Sequence, residues 1–514
     1  MNDAKAMYAT VASVSVVGLT AHPVQVEVDI ADGLPVFTIV GLPDTTVQEA
    51  RERVKSAVRN AGFHFPAHRI TVNLAPADLR KEGAFFDLPV AIGILKASGQ
   101  LEASLEGYVF LGELSLEGTL RPVHGVLPAV AGLAAADGTH TYVVPHQNVG
   151  ELALLEGTRL LPSVGLSDVV QASVEGPLIQ VVPSYDPPSG ALSSPLDFAD
   201  VKGQATAKRA MEIAAAGGHN ILLCGSPGSG KTMLAERLPG IMPPMVRDEV
   251  LEVTTVYSAA GLLIDGKCMV EQRPFRHPHH TASSIAVIGG GATARPGEIS
   301  LADRGVLFMD ELPEFHRDVL EVLRQPLESG TVTISRVRQT LTYPAHFLLV
   351  AAMNPCPCGW YGDTTHPCTC SASDVRRYRS RISGPLLDRF DMVLSVPRLQ
   401  ASELGDLRAG ETSAAIRERV TLAREHARAV LEERGLRANA DLSGPQVRRL
   451  IALDNDAQAF LAMAVTRFGL SGRGYDKVLK VARTIADLDG AQWVRAEHIS
   501  EALQYRSAGA TWDA

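Results

Sequence analysis

The chain has 514 residues, of which 46% are hydrophobic, 20% charged and 5% aromatic, a composition with room for about three domains that excludes a disordered or collagen-like polymer. Its formal charge of −9, taken as an average, speaks against a general coat for nucleic acid or anionic membranes, because neutralising phosphates needs a basic surface. The average hides a division: residues 1–199 hold 11 Lys and Arg against 21 Asp and Glu, whereas residues 200–514 hold 37 against 36.

The apolar start Ala9–Leu19 is interrupted by Thr and Ser and has only Lys5 as a positive flank, so it reads as a strand and not as a signal sequence. No uninterrupted apolar run reaches the roughly 18 residues that a membrane helix requires. The expectation is a cytoplasmic protein with no membrane partner. Alternation then puts Val24, Val26, Val28 and Ile30 on one strand face, Phe37 and Ile39 on a second, and Ile70, Val72 and Leu74 on a third. Between them Val47, Ala50, Val54, Ala57, Val58 and Ala61 recur at helical spacing, with Asp44 or Thr45 as cap and Gly62 as stop. Further α/β stretches run through Phe85–Ser98 and Tyr108–Ala136, giving an α+β domain over residues 1–180. Pro, Ser and Gly crowd Val182–Pro195, which marks a linker at 181–199 and coincides with the charge division. Residues 200–398 alternate short apolar strands with helical segments, the pattern of a parallel sheet sandwiched by helices. Residues 399–514 are helical throughout, and a helical lid is the natural reading.

Within the α/β part, Gly225, Ser226, Pro227, Gly228, Ser229, Gly230, Lys231 and Thr232 spell a full GxxxxGK[ST] phosphate loop between an apolar strand and a helix. The glycines let backbone N–H groups curl round phosphates, Lys231 reaches the β/γ oxygens, and Thr232 offers a hydroxyl to Mg²⁺. About eighty residues on, a buried strand ends in Asp310 and Glu311. Asp310 is read as a Mg²⁺ holder and Glu311 as the general base for the attacking water. The cofactors implied are ATP and Mg²⁺. His277, His279 and His280 cluster round Pro278 with no carboxylate at metal spacing, so a loop at a surface is preferred to a metal site.

Thr331–Phe347 alternates like a β-hairpin carrying Arg336 and Arg338, with an ordinary structural hairpin as the equal alternative. Cys356, Cys358, Cys368 and Cys370 form two C-x-C pairs within fifteen residues. Four thiolates can close a tetrahedral zinc site that staples a loop too short to own a core, with His366 as a substitute for one sulfur. The other two cysteines, Cys224 and Cys268, read as small hydrophobes. Next comes the densest basic stretch, Arg376, Arg377, Arg379 and Arg381 with Tyr378 among them. Such interleaving suits a phosphate backbone and a stacked base, against a solvated helix face or a subunit contact.

Taken together, residues 196–204, 273–291, 296–315, 351–359, 383–391 and 471–488 resemble the AAA+ ATPases, and within them the magnesium-chelatase-like branch typified by the ComM/YifB proteins. The resemblance covers nearly the whole chain. It implies an N-terminal domain of Lon-protease-like (S5-like) α+β fold, then an α/β P-loop AAA+ core with pore insertions, then a helical C-terminal lid. It further implies that Asn354 is sensor 1, Arg389 the arginine finger offered to a neighbouring subunit with Arg381 as its rival, and Arg473 the sensor 2 arginine. A finger acting in trans requires an oligomer, and the family expectation is a homo-hexamer. Ile288–Pro296 resembles the helix 2 insertion of this branch, and in related rings it and the 331–347 hairpin line the pore and grip nucleic acid. Where Lon-like proteases carry a catalytic Ser and Lys, this chain has residues 83–87 (GAFFD) and 125–129 (GVLPA), so the first domain is expected to be an inactive scaffold.

The leading expectation is therefore an ATP-driven ring motor on single-stranded or branched DNA, a helicase or branch-migration translocase tied to natural transformation or recombination. The alternatives are the motor subunit of a chelatase inserting Mg²⁺ into porphyrin and a protein-remodelling ATPase.

Overall fold

The computed structural model describes residues 7–81, 83–175, 179–182, 184–185, 196–263, 268–291, 295–335, 340–363, 365–399 and 410–510. The chain divides into two compact units, Met1–Pro188 with Val246–Val270 and Ser335–Tyr343, and Ser189–Met245 with Glu271–Ile334 and Pro344–Ala514. Most of the Pro/Ser-rich stretch read as a linker lies outside the described residues.

The first unit is built on an eight-stranded mixed sheet. Met7–Val17 and Thr20–Ala31 form an antiparallel hairpin, turned at Gly18 with φ +66°. Arg69–Ala75 adds antiparallel to the second strand, and Val36–Val40 lies parallel beside it. On the other side Tyr108–Phe110, Thr141–Pro145 and Arg159–Ser163 follow in parallel, and Gln180–Val181 ends the row antiparallel. The alternating residues Val24, Val26, Val28, Ile30, Ile70, Val72 and Leu74 are all buried. Helix Thr45–Asn60 is capped by Asp44, whose carboxylate accepts the Val47 N–H at 2.8 Å. Its inward stripe is Val47, Ala50, Val54, Ala57 and Val58.

Helix Asp87–Ala97 lies so close to the sheet that a Cβ on Gly93 would stand 2.6 Å from Val28 Cγ2. Asp87 opens that helix, is 1% exposed, and accepts Arg53 Nε and Nη2 at 2.7 and 2.9 Å and the Leu114 N–H at 3.2 Å. Removing one partner of a buried pair strands the other, so Asp87→Ala should cost about 3 kcal/mol. A urea midpoint equal to that of the parent chain would show that Arg53 finds water instead.

The two stretches compared with the protease Ser and Lys regions hold structure. Gly83 at φ +88° leads through a 3₁₀ turn, Ala84–Phe86, into the Asp87 helix, and Gly125 at φ +80° precedes helix Val126–Ala136, whose first residues are buried. Lys81, also fully buried, donates to the Pro76 carbonyl. In the same unit Glu151 is buried and accepts from Asn148 Nδ2 at 2.7 Å and Ser258 Oγ at 2.5 Å. Helix Arg247–Ala260 groups with the N-terminal residues although it falls inside the span 200–398, and its Ser258 is tied to them twice, by its hydroxyl to Glu151 and by its carbonyl to the Gly125 N–H at 3.0 Å.

The second unit contains a five-stranded parallel sheet in the order Phe275–Arg276, Val306–Met309, Leu348–Met353, Ile221–Cys224, Met392–Ser395. The strands Ile221–Cys224, Val306–Met309 and Leu348–Met353 are unbroken apolar runs because both faces are covered. Ile221, Leu223, Val306, Phe308, Val350, Ala352, Met392 and Leu394 feed a core shared with helices Ala205–Gly217, Ser413–Leu431 and Gly472–Leu488. Leu222, Leu307, Met309, Leu349, Ala351, Met353 and Val393 feed the opposite core with Val319, Leu323 and Leu386. No helix among the described residues is long and apolar enough to cross a membrane.

Candidate functional site

Three neighbouring strands of the second unit end side by side, and parallel sheets gather ligands at such carboxyl ends. After Ile221–Cys224 the chain runs through Gly225–Gly230. Gly228 and Gly230 have φ of +77° and +90°, and a Cβ on either would meet nothing within 4 Å, so space over the loop is open. A Cβ on Gly225 would instead stand 2.2 Å from the Val396 carbonyl oxygen. Lys231 opens helix Lys231–Ile241, and its buried Nζ donates to the carbonyls of Gly225 at 2.7 Å and Ser226 at 3.1 Å. Burial pulls its ammonium below the ordinary lysine value, with Asp310 the foremost opposing charge. Ser229 Oγ is buried without a hydrogen-bond partner among the described residues. An open loop, a buried ammonium and an unpaired hydroxyl fit a polyphosphate.

The adjoining strand ends complete the constellation. Asn354, just past Leu348–Met353, accepts from Lys231 Nζ at 3.4 Å. Asp310, just past Val306–Met309, accepts from Thr232 Oγ1 at 3.0 Å. A hydroxyl and a carboxylate side by side are a hard-oxygen pair suited to Mg²⁺. Glu311 has φ +51° and ψ +45°, a left-handed conformation that costs a residue with a Cβ about 1 kcal/mol. Its half-exposed carboxylate lies 3.3 Å from His280 Nδ1. The His279 ring packs against that of His280 at 4.2 Å. The histidine stretch, read from spacing as lacking a carboxylate, therefore has one, supplied by a strand end some thirty residues on. His277 packs on Phe308 with ring centroids 4.8 Å apart.

Neither candidate finger joins its own chain's phosphate loop. Arg389 Nη2 pairs with Glu328 at 2.7 Å, Arg381 with Glu314 at 2.8 Å and the Pro313 carbonyl at 3.1 Å. Arg473 lies 3.5 Å from Asp388.

The two C-x-C pairs, with nine residues between them along the chain, meet in space. Their sulfurs lie within 4.8 Å of one another, with Cys356 to Cys358 at 3.3 Å, Cys356 to Cys368 at 3.7 Å and Cys358 to Cys368 at 3.6 Å. These separations are too long for disulfides and near the edge of a tetrahedron with Zn–S bonds of about 2.3 Å. The backbone N–H groups of Trp360 and Thr369 push the Cys358 thiol down to about 5, and the Tyr361 N–H donates to Cys356 Sγ at 3.3 Å. His366 does not substitute for a sulfur; its ring stacks on Trp360 at 4.4 Å and meets Asp363. The loop also leans on the phosphate loop: a Cβ on Gly359 would stand 2.6 Å from Pro227 Cδ. Burial raises the Cys224 thiol to about 11, in keeping with a small hydrophobe.

The basic stretch is only partly as expected. Helix Ala372–Arg379 buries Val375 and Tyr378 and exposes Arg376 and Arg377. Tyr378 is 6% exposed, so it packs inward at the three-residue helical spacing and offers no platform for a base. Arg379 donates to the Pro355 carbonyl at 3.3 Å and lies over the Tyr361 ring at 5.2 Å. Arg336 and Arg338 lie outside the described residues, between the strands Thr331–Ser335 and Thr340–Pro344. Of the glycine-rich insertion, Gly289–Gly290 pairs antiparallel with Arg295–Pro296.

Family profiles described as subunit ChlI of magnesium chelatase match residues 26–148 and 197–404, and one described as its C-terminal part matches residues 410–506. The chain is 48% identical over 497 residues to the competence protein ComM of Haemophilus influenzae, covering 95% of this chain and 96% of that one. It is 45% identical over 497 residues to YifB of Escherichia coli, covering 95% of each. With the chloroplastic magnesium-chelatase subunit ChlI-2 of Arabidopsis thaliana it shares 26% identity over 219 residues, 42% of this chain and 45% of that one.

Proposed function

The chain belongs to the ComM/YifB family of magnesium-chelatase-like proteins, and from that premise we propose that it is a Mg²⁺-dependent AAA+ ATPase whose ring drives a helicase or branch-migration step on single-stranded or branched DNA in the cytoplasm. The observation that carries the ATPase reading is the contact set Lys231–Asn354 and Thr232–Asp310, which joins three strand ends beside the open loop Gly228–Gly230. In this reading Lys231 holds the β/γ-phosphates and the backbone of Gly225–Gly230 cradles them. Thr232 and Asp310 would hold Mg²⁺, which would supply positive charge beside the phosphates. Glu311 takes the proton of the attacking water, Asn354 orients that water, and His280 fixes the Glu311 carboxylate. Arg473 senses the nucleotide from the helical lid. Arg389, whose present partner Glu328 is 70% exposed and so cheap to leave, is the finger offered to a neighbouring subunit. Arg381 is tied beside Glu314 and is the weaker choice. The first domain is a scaffold of Lon-protease-like fold, and the four cysteines hold a structural zinc.

The DNA reading rests on relatedness to a competence protein over nearly the full length and on the exposed Arg376 and Arg377, with Arg379, Arg336 and Arg338 as further contacts. Single-stranded DNA should raise ATP turnover several-fold, and a four-way junction should resolve only with hydrolysable ATP. Turnover indifferent to DNA together with an intact junction would remove this reading. The chelatase profiles favour a second one, and Mg²⁺ insertion into protoporphyrin in the presence of partner subunits would establish it. Stimulation by unfolded polypeptide would point instead to protein remodelling.

A further inference from the structure

The turn that carries Arg389 is held by its backbone. Helix Gly384–Leu387 has just ended there, its carbonyls of Gly384, Leu386 and Leu387 accepting the N–H groups of Asp388, Arg389 and Phe390. The carbonyls on both sides of the finger are met by Lys477, which donates Nζ to those of Asp388 and Phe390, the latter at 2.9 Å. The carbonyl of Arg389 itself accepts from Asn220 Nδ2 at 3.1 Å. Asn220 stands just before the phosphate-loop strand and accepts the Leu349 N–H at 2.8 Å, from the strand that leads to Asn354.

Lys477 lies one turn after Arg473 on helix Gly472–Leu488, and residues four apart share a helix face. Arg473 reaches the Asp388 carboxylate in the same turn. A single helix face therefore bears the residue read as the nucleotide sensor and the residue that grips the finger's backbone. The site of Lys477 is specific: burial lowers its ammonium to about 8, against the attraction of Asp391.

We infer that Lys477 is a positioning residue for Arg389, through which the helix carrying Arg473 sets the finger that each subunit presents to its neighbour. The inference rests on reading Arg389 as a finger in trans. A shift or rotation of that helix on nucleotide binding would move the carbonyls of Asp388 and Phe390 with it, and the guanidinium between them would exchange Glu328 for the neighbour's γ-phosphate. Lys477 touches no substrate in this scheme.

Mixed assemblies of the full chain separate this role from effects on a subunit's own site. Arg389→Ala subunits keep an intact site and lack a finger; Glu311→Gln subunits are inactive themselves and can lend one. Adding Glu311→Gln subunits should restore turnover to Arg389→Ala subunits, whereas the double variant Glu311→Gln with Lys477→Met should restore at least tenfold less. Because the lending subunit's own site is already dead in both cases, the loss has to pass through the finger. Lys477→Arg in the same lending background keeps a charged donor and should recover most of the rescue. Binding of a fluorescent nucleotide and entry into mixed assemblies, measured on each lending variant, should match the Glu311→Gln parent. If the Met variant does not assemble, Lys477→Gln in the same lending background replaces it and should give the same loss. Rescue by an assembled Lys477→Met or Lys477→Gln variant equal to that by the Glu311→Gln parent overturns the positioning role. Failure of the Glu311→Gln parent itself to rescue removes the finger reading, and this inference with it.

Discussion

Glu311→Gln should lower ATP turnover by about 10² to 10⁴, the usual contribution of a general base, while nucleotide binding stays near that of the parent. The amide keeps the shape of the side chain and removes only its capacity to take a proton. Its backbone already sits in the left-handed region, held by the Glu311 N–H to Asp310 Oδ1 bond at 2.9 Å, so the variant should fold unchanged. Lys231→Ala is the contrasting case. It deletes a buried ammonium that holds two loop carbonyls and Asn354, so it should lose binding as well as turnover. Equilibrium binding of a fluorescent ATP analogue beside steady-state hydrolysis tells the two apart. Full turnover in Glu311→Gln would move the base elsewhere.

Chelation of the cysteine cluster is the second large effect. Structural zinc sites contribute apparent binding energies of about 10 to 16 kcal/mol at neutral pH, and the loop at residues 356–370 has little core of its own, with Cys356 its one buried cysteine. Purified protein should carry one zinc per chain, and Cys358→Ser or Cys368→Ser should lose it. Because Gly359 abuts Pro227, the loss should reach the phosphate loop and weaken nucleotide affinity about tenfold, or about 1.4 kcal/mol. Less than stoichiometric zinc, with four freely titratable thiols, would refute the metal site. Zinc loss with unaltered nucleotide affinity would keep the site and discard its influence on the loop.

Much of the fold could be read from local pattern. Strict alternation at Val24–Ile30 and Ile70–Leu74 announces strands covered on one face, and the unbroken runs at 221–223 and 306–309 announce a sheet covered on both. The phosphate loop was equally plain, since its glycines, lysine and threonine act as neighbours along the chain. What spacing could not show is which distant groups meet. His280 reaches Glu311 only because the chain segment after Phe275–Arg276 runs beside the end of Val306–Met309. Tyr378 looked available to a nucleic-acid base, yet three-residue spacing from Val375 turns it into the core.

The cysteine cluster stands between these cases. Four sulfurs in fifteen residues already pointed to a four-thiol cluster, because few other environments favour so many thiols beside Pro and Gly. That the loop leans on Pro227 is a tertiary fact. The same holds for Lys477, which the helical pattern of 472–488 would place only as a charged residue near a buried stripe. Covalent neighbours decide chemistry that acts within a few residues, and so the amino-acid order alone established a phosphate loop, an acidic strand end and a four-thiol loop. Packing decides chemistry that joins strand ends and helix faces. Only the folded chain brought Asn354 to Lys231, Asp310 to Thr232 and Lys477 to the turn of Arg389, because those contacts depend on strand order and helix docking that no local spacing encodes.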